Sequence, residues 1–394
     1  MKIAILTSGI LPIPAVLGGA VENLIDFYLD YNERKAHHDI TVYSVNSPLT
    51  ASHPALKSRY NHYHYVETLS FGSKLKKHIL KLLHGKEYYH YTIEYYLEEA
   101  LKDIRKQDYD VVVLENRPGY APKVAKATNA RIVIHQHNDF LNSSSRDGKL
   151  ISRLVSRVIT VSDYIAGRVK TVLDDPQKCI TVHNGIDRES FSINSNKISI
   201  TRSYLHLKPT DFVLLFSGRI NEEKGIRQLI EAVSSLRNYT DIKLLVLGSS
   251  FFGDAINDTP FVRQLKAVAE PMGNRIIFTG FIPYNDMPSY LKLADVAIIP
   301  SMWDDPFPTS VIEAVCMGMP IITTQRGGIP EEVTPDNAIL LPTDNNFVDN
   351  LSKAILKLHD NPELCKIMGE ASLLRANLFE KDRFAKEFLD ALAD

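Results

Sequence analysis

The sequence predicts an α/β protein with two doubly wound parallel-sheet domains. Three observations point there. Short apolar runs recur without polar alternation, the pattern of strands buried on both faces of a parallel sheet. Amphipathic helical spacing fills the intervals, as alternating strands and crossover helices require. The chain has 394 residues, about the length of two or three domains.

In the first half the runs are Ile3–Leu6, Ile40–Val45, Val111–Leu114, Ile132–Ile134, Val158–Val161 and Ile180–Val182. After the first of them, Val21, Leu24, Ile25, Tyr28 and Leu29 share one helical face. In the second half the runs are Phe212–Phe216, Leu244–Leu247, Ile276–Phe278, Val296–Ile299, Ile321–Thr323 and Ile339–Leu341. Ile226, Leu229, Ile230 and Val233 mark the helix after the first of these. The polar stretch Ser192–Ile200 reads as the linker. The expected division is 1–195, 196–375 and a C-terminal helix, 376–394, packing back on the first domain. Ligands of such sheets bind at the carboxyl ends of the strands, so two facing domains would enclose a cleft.

Composition narrows the class. Hydrophobic residues make up 44% and charged residues 23%, which excludes disorder for most of the chain. Lys and Arg number 45 against 47 Asp and Glu, a net charge of −2. That balance argues against a global electrostatic grip on nucleic acid. Cys179, Cys316 and Cys365 are scattered and form no CxxC pair, which fits a reducing, cytoplasmic setting. No apolar run reaches the roughly 18 residues of a membrane span. The opening MKIAILTSGILPIP has only Ile3–Leu6 as its apolar stretch, which reads as a buried strand rather than a signal peptide.

Two loops carry the candidate chemistry. Ser217-Gly218-Arg219 closes the strand Phe212–Phe216, and Glu223-Lys224-Gly225 leads into the helix from Ile226. Two cations beside the positive end of a helix suit a pyrophosphate. Taken alone, the loop fits a solvated surface turn equally well. The second loop follows Val296–Ile299 and leads into a helix from about Thr309 to Met317, closed by Gly318 and Pro320. Asp305 precedes that helix and Glu313 lies one turn inside it. A carboxylate in the apolar stretch VIEAVCMG is costly unless donors reach it. Ribose hydroxyls are suitable donors, and the free N–H groups of Thr309 and Ser310 would face a phosphate. The other reading is an N-cap aspartate and a helix-surface glutamate.

In the first half, Gly18 and Gly19 precede the helix Ala20–Tyr31. They permit close backbone approach of an anion to the helix end, or form a plain turn. His135 and His137 end the strand Arg131–Ile134 on one face. H-x-H is also a metal signal, but no further ligand cluster accompanies it in the sequence.

Motifs stand in order along nearly the whole chain. They are Gly18-Gly19-Ala20-Val21-Glu22, His135-Gln136-His137-Asn138-Asp139, Val161-Ser162-Asp163 and Asn184-Gly185-Ile186-Asp187. Then come Gly218-Arg219 with Glu223-Lys224-Gly225, Phe278-Thr279-Gly280-Phe281 and Ala294-Asp295-Val296. The loop to Glu313 and Gly327-Gly328-Ile329-Pro330-Glu331 complete the set. In these pieces the chain resembles glycosyltransferase family 4, the group 1 nucleotide-sugar-dependent transferases, of bacterial surface-polysaccharide type. That resemblance implies the GT-B fold, two facing Rossmann-like domains with an interdomain cleft. The first domain would take the acceptor and the second the nucleotide sugar.

The resemblance also implies roles. Arg219 and Lys224 look like the donor pyrophosphate pair, and Glu313 like the ribose-binding second carboxylate of the E-x7-E motif. Asp305 stands at the first carboxylate, where the family usually has Glu. Pro308 stands where the family often has Gly and removes one backbone N–H. Phosphate and sugar contacts then fall to Thr309 and Ser310. Gly18, Gly19 and Phe307 join them in the expected nucleotide-sugar site. His137 aligns best with the active-site histidine near the donor sugar, and His135 is the second choice. The expected catalytic set is His137, Asp305, Arg219 and Lys224.

The implied reaction is a retaining, metal-independent hexosyl transfer that uses no cofactor. The donor is a nucleotide sugar, with a UDP-sugar favoured, and the acceptor a saccharide or lipid-linked saccharide. Front-face transfer is favoured, with the leaving phosphate helping to deprotonate the acceptor hydroxyl. Asp108-Tyr109-Asp110 is a D-x-D, the motif by which GT-A transferases hold a metal. There it follows a strand; here it precedes Val111–Leu114 and reads as a turn. Two other readings stand beside the transferase. One is a non-hydrolysing nucleotide-sugar epimerase, which needs no acceptor. The other is a non-catalytic nucleotide-sugar-binding protein, for which Asp305 and Pro308 are the hints. A Rossmann dehydrogenase is disfavoured, since no G-x-G-x-x-G follows the first strand.

Tyr60 to Tyr96 holds eight tyrosines, and Ser73–Lys86 within it carries five lysines, two histidines and no acid. Leu75, Ile79, Leu82 and Leu83 fall on one helical face. Such a helix lies on an anionic membrane surface or packs its leucines on the domain. The first reading is compatible with peripheral association at the inner face of a membrane. No nucleic-acid motif accompanies the basic stretch.

Overall fold

The computed structural model describes residues 1–84, 90–194, 200–249 and 259–393. The chain forms two compact units, Met1–Gly185 with Lys381–Asp394, and Ile186–Glu380.

The first unit runs β1 (Lys2–Leu6), α1 (Ala20–Tyr31), β2 (Asp39–Val45), β3 (Asn61–Val66), α2 (Phe71–His84) and α3 (Tyr91–Ile104). It continues β4 (Val111–Glu115), α4 (Ala121–Val124), β5 (Arg131–Gln136), α5 (Gly148–Leu154), β6 (Arg157–Thr160), α6 (Asp163–Lys170) and β7 (Cys179–Thr181). Its seven strands lie in the order β3-β2-β1-β4-β5-β6-β7, and all neighbours are parallel.

The second unit runs β8 (Phe212–Ser217), α7 (Ile226–Ser235), β9 (Ile242–Leu247), α8 (Pro260–Ala269), β10 (Ile276–Gly280), α9 (Met287–Leu291) and β11 (Val296–Ile299). Then come α10 (Thr309–Cys316), β12 (Ile321–Thr324), α11 (Ile329–Glu332), β13 (Ala338–Leu341), α12 (Phe347–His359) and α13 (Pro362–Arg375). Its six strands lie in the order β10-β9-β8-β11-β12-β13, again all parallel. The last helix, α14 (Lys381–Ala393), belongs to the first unit.

Both sheets are doubly wound, because the strands are apolar on both faces and must be covered on both. In the first unit, Ile3, Ile5, Val111 and Val113 pack with Leu24, Ile25 and Tyr28 of α1 and Phe384, Phe388 and Leu392 of α14. In the second, Leu214, Val296 and Ile298 pack with Leu229, Ile230 and Val233 of α7 and Leu351, Ile355 and Leu358 of α12. Each such fully buried side chain contributes about 1.5–3 kcal/mol. The strand order reverses between β1 and β4 and between β8 and β11. Crevices at these reversals, at the carboxyl ends of the strands, are where such sheets bind ligands.

Three features differ from the sequence reading. β3, with sequence NHYHYV, was not expected. It is an edge strand paired only with β2, so it needs no apolar face on both sides, and its histidines and tyrosines hide the pattern. The units part at Gly185 and Ile186, ahead of the stretch Ser192–Ile200. Ile186 donates its N–H to the Phe379 carbonyl at 2.8 Å. Phe191 is buried, with its ring 5.2 Å from that of Tyr284. The residues before the polar stretch are therefore already part of the second unit, and residues 195–199 of that stretch lie outside those described.

The third difference is in α2. Leu75 and Ile79 do not pack on the domain: they are 57% and 48% exposed, while Ser73 and Lys77 are buried. The Lys77 ammonium donates to the Thr68 carbonyl at 2.6 Å. The side chains of Leu82 and Leu83, and all of Lys86, lie outside the described residues. Asp108-Tyr109-Asp110 is a turn into β4, with Asp110 accepting the Lys2 backbone N–H at 2.7 Å. Among the described residues no helix is long and apolar enough to cross a membrane.

Candidate functional site

In the second unit the loops after β8, β11 and β12 converge at the strand-order reversal. Close backbone approach requires glycine at two points. Gly225 has φ 70°, and a Cβ there would lie 1.8 Å from the Pro300 carbonyl oxygen. Gly327 has φ 58°, and its Cβ would lie 2.1 Å from the Asp305 oxygen. The Met302 N–H donates to the Glu223 carbonyl at 2.8 Å, and the Gly328 N–H to the Asp305 carbonyl at 2.8 Å. These contacts fix the loops against one another without side-chain mediation.

The predicted residues meet there. The Lys224 ammonium forms an ion pair with the Asp305 carboxylate and lies 5.8 Å over the Trp303 ring. Both partners are largely buried, so the pair is weakly screened. Arg219 is exposed just beyond the end of β8. α10 begins at Thr309, with Pro308 as its N-cap and no side-chain cap. Its first N–H groups therefore point their partial positive charge outward. Thr309 and Ser310 are half-buried at this end. Glu313, one turn on, is buried, and burial pushes its carboxyl up to about 7, with the Thr309 side chain partly opposing this. Phe307 is buried, its ring edge-on to Phe379 at 6.1 Å, so this side chain packs inside the fold.

The sequence reading missed Glu332. It is fully buried, and neither carboxyl oxygen has a hydrogen-bond partner among the described residues. Burial, with Asp305 and Glu331 nearby, raises it well above the carboxylate range. Its only signal was a second acid after the Pro330-Glu331 motif.

In the first unit, Gly18 and Gly19 have φ 74° and 109°. Gly19 is the N-cap of α1, again without a side-chain cap. The Glu22 carboxyl lies over this turn, 2.2 Å from where a Gly19 Cβ would stand. Burial pushes Glu22 up to about 7, with Glu115 and Asp26 adding to the effect. The α1 end is thus already faced by an acid of its own first turn.

β5 extends to Gln136, so His135 lies within the strand and His137 just beyond it. Both meet Glu115, the last residue of β4, which the β4–β5 register sets opposite His135. His135 Nδ1 and His137 Nε2 each lie 3.0 Å from Glu115 Oε2, and the Tyr28 hydroxyl donates to Oε1 at 3.0 Å. This corrects the expectation that the two histidines lack a third ligand-type neighbour: Glu115, His135 and His137 form a buried group capable of metal ligation. The groups satisfy one another by hydrogen bonds as they stand. Burial raises the Glu115 carboxyl, but the histidines outweigh it and hold Glu115 below its ordinary range. Burial, then His135, lowers His137 to about 4. His137 is therefore a neutral imidazole that donates from Nε2 to Glu115, leaving Nδ1 as an acceptor.

The pattern described as Glycosyltransferase Family 4 matches residues 33–190, and that described as Glycosyl transferases group 1 matches residues 199–375. The chain belongs to the group 1, family 4 glycosyltransferases. Putative glycosyltransferase YtcC of Bacillus subtilis is 29% identical over 378 residues, covering 93% of this chain and 86% of the relative. Spore coat protein SA of the same organism is 27% identical over 345 residues, covering 84% and 83%. The solved structure of Anabaena HepE in complex with UDP is similar over 100% of both chains, with a TM-score of 0.74 at 20% identity. The glycosyltransferase therefore has the GT-B fold, with two parallel-sheet units of seven and six strands.

Proposed function

We propose that this glycosyltransferase moves a hexose-type sugar from a nucleotide sugar, a UDP-sugar first, to a saccharide or lipid-linked saccharide. Transfer proceeds with retention and without a metal ion. The acceptor is met in the cytoplasm or at the inner face of a membrane. The observation that carries this reading is the gathering of Lys224, Asp305 and buried Glu313 about the uncapped start of α10. HepE, of the same fold, has been solved with UDP bound, which favours uridine as the base.

Each group has a role that its surroundings suit. Ribose hydroxyls donate to Glu313, supplying the hydrogen bonds whose absence pushes its carboxyl up. The diphosphate takes Lys224 from Asp305, and Arg219 and the N–H groups of Thr309 and Ser310 complete its cradle. Asp305, released, accepts from hydroxyls of the sugar. Negative charge growing on the departing diphosphate is met by fixed cations and a helix end, which need no reorganisation. In the first unit, His137 offers Nδ1 to a sugar hydroxyl, as a neutral acceptor rather than an acid. The leaving phosphate accepts the proton of the attacking hydroxyl. The Glu115, His135 and His137 group works as a hydrogen-bonded support and takes no part as a metal site.

A thermal-shift series with UDP, GDP, dTDP and their sugars tests the donor. UDP and UDP-sugars are expected to stabilise the protein, and Glu313→Ala to abolish the shift. Silence from every nucleotide would overturn the reading. Lys224→Ala is expected to lower kcat/KM roughly 10²–10³-fold, the cost of losing one charge-stabilising donor. Activity is expected to survive EDTA unchanged, and its loss would refute metal independence.

A further inference from the structure

We infer that α2 is an interfacial helix that seats the first unit on an anionic lipid surface. The helix is turned over relative to an ordinary surface helix. Phe71, Leu75 and Ile79, spaced by four, form one stripe and are 85%, 57% and 48% exposed. Ser73 and Lys77, on the opposite side, are buried. Beneath the helix is a cavity of about 350 Å³ walled by polar groups, among them His64, Glu67, Ser73 and Glu99. The protein has thus placed polar groups inward and an apolar stripe outward. That arrangement is unfavourable in water and is favourable where the stripe meets acyl chains.

Charge selects the occupant. Lys74, His78 and Lys81 flank the stripe on one side and Lys76 on the other, all exposed. No acid occurs anywhere in Phe71–His84. A second copy docking through the same stripe would set lysine rows against lysine rows. Anionic headgroups neutralise both rows while the stripe enters the acyl boundary, the geometry of a helix lying in the plane of a membrane. This inference rests on the proposed function only for what the membrane carries, a lipid-linked acceptor. The seating itself is a property of α2.

The test is co-sedimentation of the full chain with vesicles of phosphatidylglycerol and phosphatidylcholine, and of phosphatidylcholine alone. Binding to the anionic vesicles is expected, weakening with salt. The exposed triple variant Phe71→Ser, Leu75→Ser, Ile79→Ser is expected to lose at least about tenfold in partitioning, as removal of buried apolar groups requires. Lys74→Glu with Lys81→Glu should weaken it too. Circular dichroism and the nucleotide thermal shift, read on the same samples, report that both variants remain folded. A wild type that ignores anionic vesicles, or a triple variant that binds them equally, would overturn the inference. So would a wild-type dimer that the triple variant dissolves without any vesicle binding. Vesicle binding that depends on the stripe supports it even where no nucleotide stabilises the protein, so its fate and that of the donor assignment are read separately.

Discussion

Glu313 is held near pKa 7 by burial, which gives the free protein a defined pH dependence. The folded value lies above the model value of 4.5, so the native state favours the proton. The contribution is intact below about 4.5 and is lost as pH rises through about 7. Glu313→Gln removes this loss. It is expected to stabilise the free protein by of the order of 3 kcal/mol at pH 8 and to change little at pH 4, measured by chemical denaturation. The same substitution is expected to weaken UDP, because the ribose loses a charged acceptor. Lys224 and Asp305 give a second prediction. Asp305→Asn spares the diphosphate a competing carboxylate, so UDP binding should tighten by roughly tenfold, about 1.4 kcal/mol, while transfer slows. Calorimetry and rate measurement separate the two. Much at this scale was legible: Arg219, Lys224, Asp305 and Glu313 follow strands at loop spacings that suit a phosphate. Glu115 was not, because it lies 20 residues from His135 and meets it only through strand register. Glu332 was not, because burial of a carboxyl leaves no mark in a linear pattern.

The loops of the second sheet rest on glycines whose space is already filled by backbone. Gly225→Ala would place a methyl group 1.8 Å from the Pro300 carbonyl at a positive φ. It should cost well over about 1 kcal/mol and remove the nucleotide response with it. Gly18→Ala is the contrast. It too has a positive φ, 74°, but no atom lies within 4 Å of the added Cβ, so the cost is backbone strain alone, about 1 kcal/mol. Equal destabilisation of the two in denaturant titrations would contradict the packing argument. Element identity followed apolar continuity, which is why strands in the middle of each sheet were readable. β3 at the edge was not, since a half-covered strand obeys a weaker rule. α2 was readable as a helix but not in its orientation, because a periodic stripe states which residues share a side and not which way that side faces.

The two-sheet architecture was legible throughout, and the exact points of division were not. Phe191 and Ile186 carry no linker-like signal and yet belong by packing to the second unit. α14 completes the first unit. Phe388 is fully buried and stacks on Tyr28 with ring centroids 4.5 Å apart. Phe388→Ala is expected to cost the first unit about 3–5 kcal/mol. The chain has a single tryptophan, Trp303, in the second unit, so its fluorescence reports that unit's unfolding. The variant should shift the far-ultraviolet transition while leaving a separate Trp303 transition in place, and a common shift of both would show the units to be one cooperative body. The place of α14 in the chain also sets a schedule for synthesis. The first sheet is translated early, but the helix that covers Tyr28 comes only after the whole of the second unit. At bacterial elongation rates the interval is about 10–40 s. For that time the nascent first unit holds an open apolar groove, and a chaperone that shields such grooves would find its substrate here on the ribosome rather than after release.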